Sequence, residues 1–172
     1  MGREIERKFL VAGEGWRDAV TRSQRMEQGY LVDAKVFEAG LSKCSVRVRI
    51  AGDRAWLNIK SARLGIERSE FEYAVPLGEA HELLDQLCSG RIEKTRHLVD
   101  VDGCTFEIDE FHGDNQGLIV AELELDSTNA HVPRPRWLGH EVSQLARYYN
   151  VNLVAHPYIH WSVREREGKE DT

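Results

Sequence analysis

Glu4-Ile5-Glu6-Arg7-Lys8-Phe9-Leu10-Val11 is the stretch on which the reading of this chain turns. Successive side chains of a β-strand point to opposite faces, so an extended reading divides it in two. One face carries Glu4, Glu6, Lys8 and Leu10; the other carries Ile5, Arg7, Phe9 and Val11. The same division recurs downstream. Arg47 and Arg49 lie opposite Val46, Val48 and Ile50, and Lys60 shares a face with Trp56 and Asn58, away from Leu57 and Ile59. Arg68, Glu70 and Glu72 oppose Phe71, Tyr73 and Val75, while Lys94 and Arg96 back onto Thr95, His97 and Val99. Glu107 and Asp109 oppose Phe106 and Ile108, and Glu122 and Glu124 oppose Ala121, Leu123 and Leu125.

Alternation of this kind ordinarily means one solvated and one buried face. Here like charges recur at i and i+2 on strand after strand, about 7 Å apart, and they repel unless groups of opposite sign stand between them. Glu4, Glu6, Glu70, Glu72, Glu107, Asp109, Glu122 and Glu124 make eight acids, against seven bases in Lys8, Arg47, Arg49, Lys60, Arg68, Lys94 and Arg96. One economical solution is a closed antiparallel barrel of α+β class, with these charges inside and the apolar faces outside, covered by helices. Three stretches have helical periodicity, at about Trp16 to Met26, Gly78 to Ser89 and Gly139 to Asn150. The second offers Ala80, Leu83, Leu84 and Leu87 as an apolar face, and the third offers Val142, Leu145, Ala146 and Tyr149.

The 172 residues, with few Pro and Gly and no repeat, read as one domain over residues 1–163 followed by a polar tail, 164–172. The chain is acidic overall, 29 Asp and Glu against 23 Lys and Arg, which disfavours nucleic acid and anionic membranes as partners. Its three cysteines are scattered, no signal segment opens it and no apolar run approaches a membrane span, so a reduced, cytoplasmic protein is expected.

Paired glutamates are hard oxygen donors that suit Mg²⁺ or Mn²⁺ rather than Zn²⁺, and facing Arg and Lys suit phosphate oxygens. Together they point to metal-assisted phosphoryl transfer. No Gly-rich phosphate loop or nucleophile elbow competes, and Pro157 between His156 and His160 argues against a helical zinc pair.

The opening strand resembles the Glu-x-Glu-x-Lys motif of the CYTH superfamily, the triphosphate tunnel metalloenzymes. Gln28-Gly29-Tyr30-Leu31, Arg47-Val48-Arg49, Ile59-Lys60-Ser61, Glu93-Lys94-Thr95-Arg96, Phe106-Glu107-Ile108-Asp109, Ala121-Glu122-Leu123-Glu124 and Arg147-Tyr148-Tyr149-Asn150 follow in the family's order. The resemblance is closest to short bacterial members that hydrolyse inorganic triphosphate. It implies an eight-stranded tunnel, with Glu4, Glu6, Glu122 and Glu124 as metal ligands and Lys8, Arg47, Arg49, Lys60, Lys94 and Arg96 on the phosphates. Glu72 and Asp109 either complete a second metal site or fix the bases by ion pairing. Tyr30, Lys8 and Lys94 are the candidate catalytic side chains, Tyr30 as proton acceptor, with a metal-activated water as the alternative. Adenylyl cyclase, nucleoside triphosphatase and thiamine triphosphatase activity use the same grip, and a polyphosphate-binding module without turnover is the rival of another class. Val151 to Val163 continues beyond the matched motifs as a tunnel cap or a contact in a homodimer.

Overall fold

The computed structural model describes residues 2–61 and 67–169. Among the described residues nine strands form one antiparallel sheet: β1 (Gly2–Val11), β2 (Val20–Tyr30), β3 (Cys44–Ala51), β4 (Arg54–Ser61), β5 (Glu67–Val75), β6 (Arg91–Val101), β7 (Cys104–Phe111), β8 (Ile119–Glu124) and β9 (Leu138–Glu141). Their order is β5-β4-β3-β2-β6-β7-β8-β1-β9, with an additional pairing of β5 to β1 from Gly2↔Glu70 to Ile5↔Glu67. The expected count of eight strands is corrected to nine, the ninth being β9 beside β1, while β5 and β1 of the other eight pair over Gly2 to Ile5 only. β1 is shared among three partners: β5 along its first residues, β8 from Glu6 to Leu10, and β9 at Phe9 and Val11.

The helices are few and short: α1 (Ala34–Glu38), α2 (Leu77–Leu87), α3 (Asn150–Ala155) and α4 (Val163–Arg166). Only α2 matches an expected helix. It presents Ala80 and Leu84, one turn apart, to Val48, Ile50 and Ala55 on the outer face of β3 and β4, while Leu87 stays exposed. Gly29 on β2 is where this helix sits closest. A Cβ there would stand 2.8 Å from the Cys88 Sγ and 2.9 Å from Leu84 Cδ2. Gly29→Ala therefore forces α2 off the sheet and is expected to cost about 1–3 kcal/mol in urea unfolding; an unchanged midpoint would contradict this packing.

Trp16 to Met26 is not a helix but a turn of 3₁₀ helix at Arg17–Ala19 followed by β2. Thr21, Ser23 and Arg25 are exposed, and the opposite positions are also polar or long, so the strand lacks the apolar alternation that would betray it. Gly139 to Asn150 likewise begins as β9. A Cβ at Gly139 would stand only 2.8 Å from the Leu10 carbonyl oxygen, so glycine permits the close approach to β1, and Lys8 O accepts from the Val142 N–H at 2.8 Å. Pairing with β1 displaces the helix there, and helical structure starts only at Ala146–Tyr148 and α3.

Helices do not cover most of the outer apolar face. Ile5, Phe9, Val99, Phe106, Ile108, Ala121 and Leu123 are covered instead by Trp16 and by the irregular segment bearing Val132 and Trp137. A third cluster lies on the charged side of the sheet. Ile92 shares the face of Lys94, Phe111 that of Asp109 and Val120 that of Glu122; Val142, Tyr148, Leu153 and Trp161 pack onto them. The chain after β9 thereby fills one end of the charged side with an apolar plug. Among the described residues no helix is long and apolar enough to cross a membrane.

Candidate active site

The inner faces enclose a cavity of about 600 Å³. Glu4, Glu6 and Lys8 of β1, Tyr30 of β2, Arg47 and Arg49 of β3, Lys60 of β4, Glu72 of β5, Arg96 of β6, and Glu122 and Glu124 of β8 all line it. The period-two sorting brings these residues together because the strands pair in a register that sets acids against bases. Lys8 lies across from Glu122, Lys60 from Glu70, and Arg96 from Asp109. The Arg68 side chain lies outside the described residues.

The ion pairs follow that register. Lys8 Nζ stands 2.7 Å from Glu122 and 3.9 Å from Glu6, and Lys60 Nζ stands 2.7 Å from Glu4 and 3.3 Å from Glu70. Arg49 donates to Glu72 at 2.8 Å, and the Asn58 amide, fully buried, donates to Glu70 at 3.1 Å. Arg96 spans three carboxylates: it donates twice to Asp109 at 2.7 Å, to Glu122 at 2.6 Å and, through Nη1, to Glu107.

Two expected site residues are not on the cavity wall. Lys94 and Asp109 form an ion pair beneath it, 1% and 0% exposed. Burial lowers Lys94 to about 8, outweighing the attraction of Asp109. At Asp109 burial pushes upward, but Arg96 and Lys94 together hold the carboxyl below its usual range. Burial also opposes the charge on Arg96 and Glu122, and in both the opposite charges win: Asp109 and Glu122 hold the guanidinium charged, and Lys8 and Arg96 hold Glu122 well below a normal carboxylate.

Glu6 and Glu124 behave in the opposite sense. They are cross-strand partners, Glu6↔Glu124, with like charges directly opposed. Burial and then Glu122 raise Glu6; burial and then Glu4 raise Glu124. Among the described residues no three carboxylate, imidazole or thiol groups stand close enough to form a finished ligand set.

Several residues at this site had no role assigned from the sequence, although Gln28, Tyr149 and Asn150 stand in the motifs of the resemblance and Val151 opens the segment expected as a tunnel cap or homodimer contact. Gln28 is fully buried beside the wall, its amide donating to the Tyr30 hydroxyl at 3.1 Å; Asn58 holds two glutamates; and Tyr149, Asn150 and Val151 form one end of the cavity. Asn58 could have been found, since it alternates in phase with Lys60, whereas Gln28 lies between Met26 and Tyr30 on a strand without legible alternation. Tyr149 could not, because its place depends on where the chain returns after β9.

Strands that gather bases and opposed glutamates around one cavity define a chamber for a polyanion together with a cation. Comparison with known proteins gives the family. The CYTH domain family matches residues 2–158, and the chain belongs to that family. It is 43% identical over 159 residues to an inorganic triphosphatase of Acetivibrio thermocellus, covering 92% of this chain and 97% of that protein. An inorganic triphosphatase of Nitrosomonas europaea is 33% identical over 155 residues, covering 88% of this chain and 96% of the relative. The crystal structure of the inorganic triphosphatase NE1496 is similar with a TM-score of 0.63 at 32% identity, over 88% of this chain and 97% of that one.

Proposed function

We propose that this protein hydrolyses inorganic triphosphate to pyrophosphate and phosphate, with Mg²⁺ or Mn²⁺ as the required cation. The observation that carries this reading is the cavity itself, in which acids and bases share one wall, in a chain that aligns nearly end to end with two inorganic triphosphatases. Lys8, Arg47, Arg49, Lys60 and Arg96 bind the phosphate oxygens and offset the charge that develops as the P–O bond to the leaving pyrophosphate breaks.

The acids fit a divalent cation. Glu6 and Glu124 oppose like charges across two strands, an arrangement that costs energy without a counter-ion, and all their donors are hard oxygens. Glu4, Glu6, Glu122 and Glu124 would hold it, and when bound it supplies Lewis-acid polarisation of the phosphoryl group. Lys94 and Asp109 act from behind the wall by holding Arg96 in place. Tyr30 stands on the wall, where its hydroxyl oxygen accepts from Gln28, as the candidate acceptor for the proton of the attacking water.

The test is orthophosphate release from tripolyphosphate with Mg²⁺, with Mn²⁺ and with chelator, for the wild type and Glu6→Gln. Activity that needs metal and falls at least about 100-fold in Glu6→Gln is expected. Metal-independent turnover, or an unaffected variant, would overturn the metal role. ATP and thiamine triphosphate run in parallel, with product identification, separate this reading from a cyclase, a nucleoside triphosphatase or a thiamine triphosphatase; tight binding without release would mark a binding module.

A further inference from the structure

The segment that follows β9 is tied to Lys8 from backbone to ammonium. The Lys8 N–H donates to the Ser143 Oγ at 2.9 Å, and that hydroxyl in turn donates to Glu141 at 2.8 Å. The Lys8 carbonyl accepts from Val142 N–H at 2.8 Å. Further out, Lys8 Nζ donates to the Tyr148 carbonyl at 3.4 Å and lies 5.4 Å from the centre of the Tyr149 ring. The Tyr149 hydroxyl donates to the Ser143 carbonyl at 2.9 Å, so the ring is fixed by the same residue that grips the Lys8 backbone. Tyr149 also lines the cavity.

We infer that Tyr149 is a positioning residue that aims the Lys8 ammonium into the cavity and keeps it available to an anion. Lysine carries its charge on a flexible four-carbon stem, and Glu122 at 2.7 Å and Glu6 at 3.9 Å both compete for it. A carboxylate partner neutralises the ammonium; an aromatic face attracts it through the ring quadrupole without cancelling its charge. The ring and the Tyr148 carbonyl therefore act as uncharged anchors that fix where the ammonium stands on the cavity wall while it pairs with Glu122. The identity of the anion, tripolyphosphate, rests on the reading under Proposed function; the aim of Lys8 does not.

The experiment compares wild type, Tyr149→Phe and Tyr149→Leu. Both variants lose the hydroxyl bond to Ser143 and share its stability cost, so a difference between them reports the ring. Tyr149→Leu is expected to raise the KM and the calorimetric Kd for tripolyphosphate about tenfold with kcat nearly unchanged, and Tyr149→Phe to stay within about twofold of wild type. Equal constants in the two variants would overturn the inference. NMR of the Lys8 side-chain methylenes is read in the ligand-free proteins: an upfield ring-current shift in wild type and Tyr149→Phe, lost in Tyr149→Leu. Its absence in wild type overturns the inference. Its presence in a wild type that neither binds nor hydrolyses tripolyphosphate overturns the hydrolase reading alone.

Discussion

Asp109→Asn is expected to lower the unfolding free energy by about 3–5 kcal/mol, since removing one member of a buried charge cluster strands the others without repaying their desolvation. Asp109 is fully buried and faces two cations, Lys94 and Arg96. Arg96 keeps Glu107 and Glu122, so the stranded group is Lys94. The measurement is urea unfolding of wild type, Asp109→Asn and Asp109→Asn/Lys94→Met. The double variant, which removes the orphaned charge, should recover a large part of the loss, and a single variant within about 1 kcal/mol of wild type would refute the account.

The same pair predicts a pH dependence. Lys94 is lowered from 10.5 to about 8 in the fold. Between those values the unfolded chain binds the proton and the native state does not, so this group makes stability rise with pH across that window. The gain is complete above 10.5 and is lost as pH falls through about 8. Lys94→Met should remove this rising contribution and leave Cys88 and Tyr148, both raised by burial, to make stability fall with pH over the same range.

Arg96→Lys is expected to lower kcat/KM about 100- to 1,000-fold despite conserving charge, in keeping with the loss of a fixed group stabilising the transition state. The guanidinium donates through Nε, Nη1 and Nη2 to Asp109, Glu107 and Glu122 at once, and it lines the cavity. An ammonium is a point charge and cannot span that fork, so it would settle on one carboxylate and leave the others to repel. Steady-state hydrolysis of tripolyphosphate measures the effect. Arg25→Lys on the same sheet is the control: Arg25 pairs with Glu93 at an exposed site, where an ion pair contributes little, and activity should be unchanged. A loss below about tenfold in Arg96→Lys would show that charge alone suffices there.

The strands and their two faces were legible because period-two alternation is a local property. Glu4, Glu6 and Lys8, or Arg47 and Arg49, must share a face once the backbone is extended. β2 was not legible, because both of its faces are largely polar and the alternation carries no contrast. β9 was not legible, because four residues held by hydrogen bonds to β1 leave little pattern of their own. Of the helices expected over the outer face, α2 covers β3 and β4, while Trp16, Val132 and Trp137 cover the rest, from segments outside the strands they protect.

The sequence by itself determined which side chains are charged, which of them share a face, and hence that acids and bases meet in comparable numbers on one side of a sheet. The tertiary structure decided which acid meets which base. Register set Lys8 against Glu122 and Arg96 against Asp109, and depth placed Lys94 and Asp109 behind the wall rather than on it. It also decided that the chain after β9 returns to plug one end and to hold Lys8 through Ser143, Tyr148 and Tyr149. The reason is physical: a face is fixed by the dihedrals of neighbouring residues, whereas register and burial depend on hydrogen bonds and packing between different strands, from 13 positions apart at Arg96 and Asp109 to 135 at Lys8 and Ser143, which no local pattern encodes.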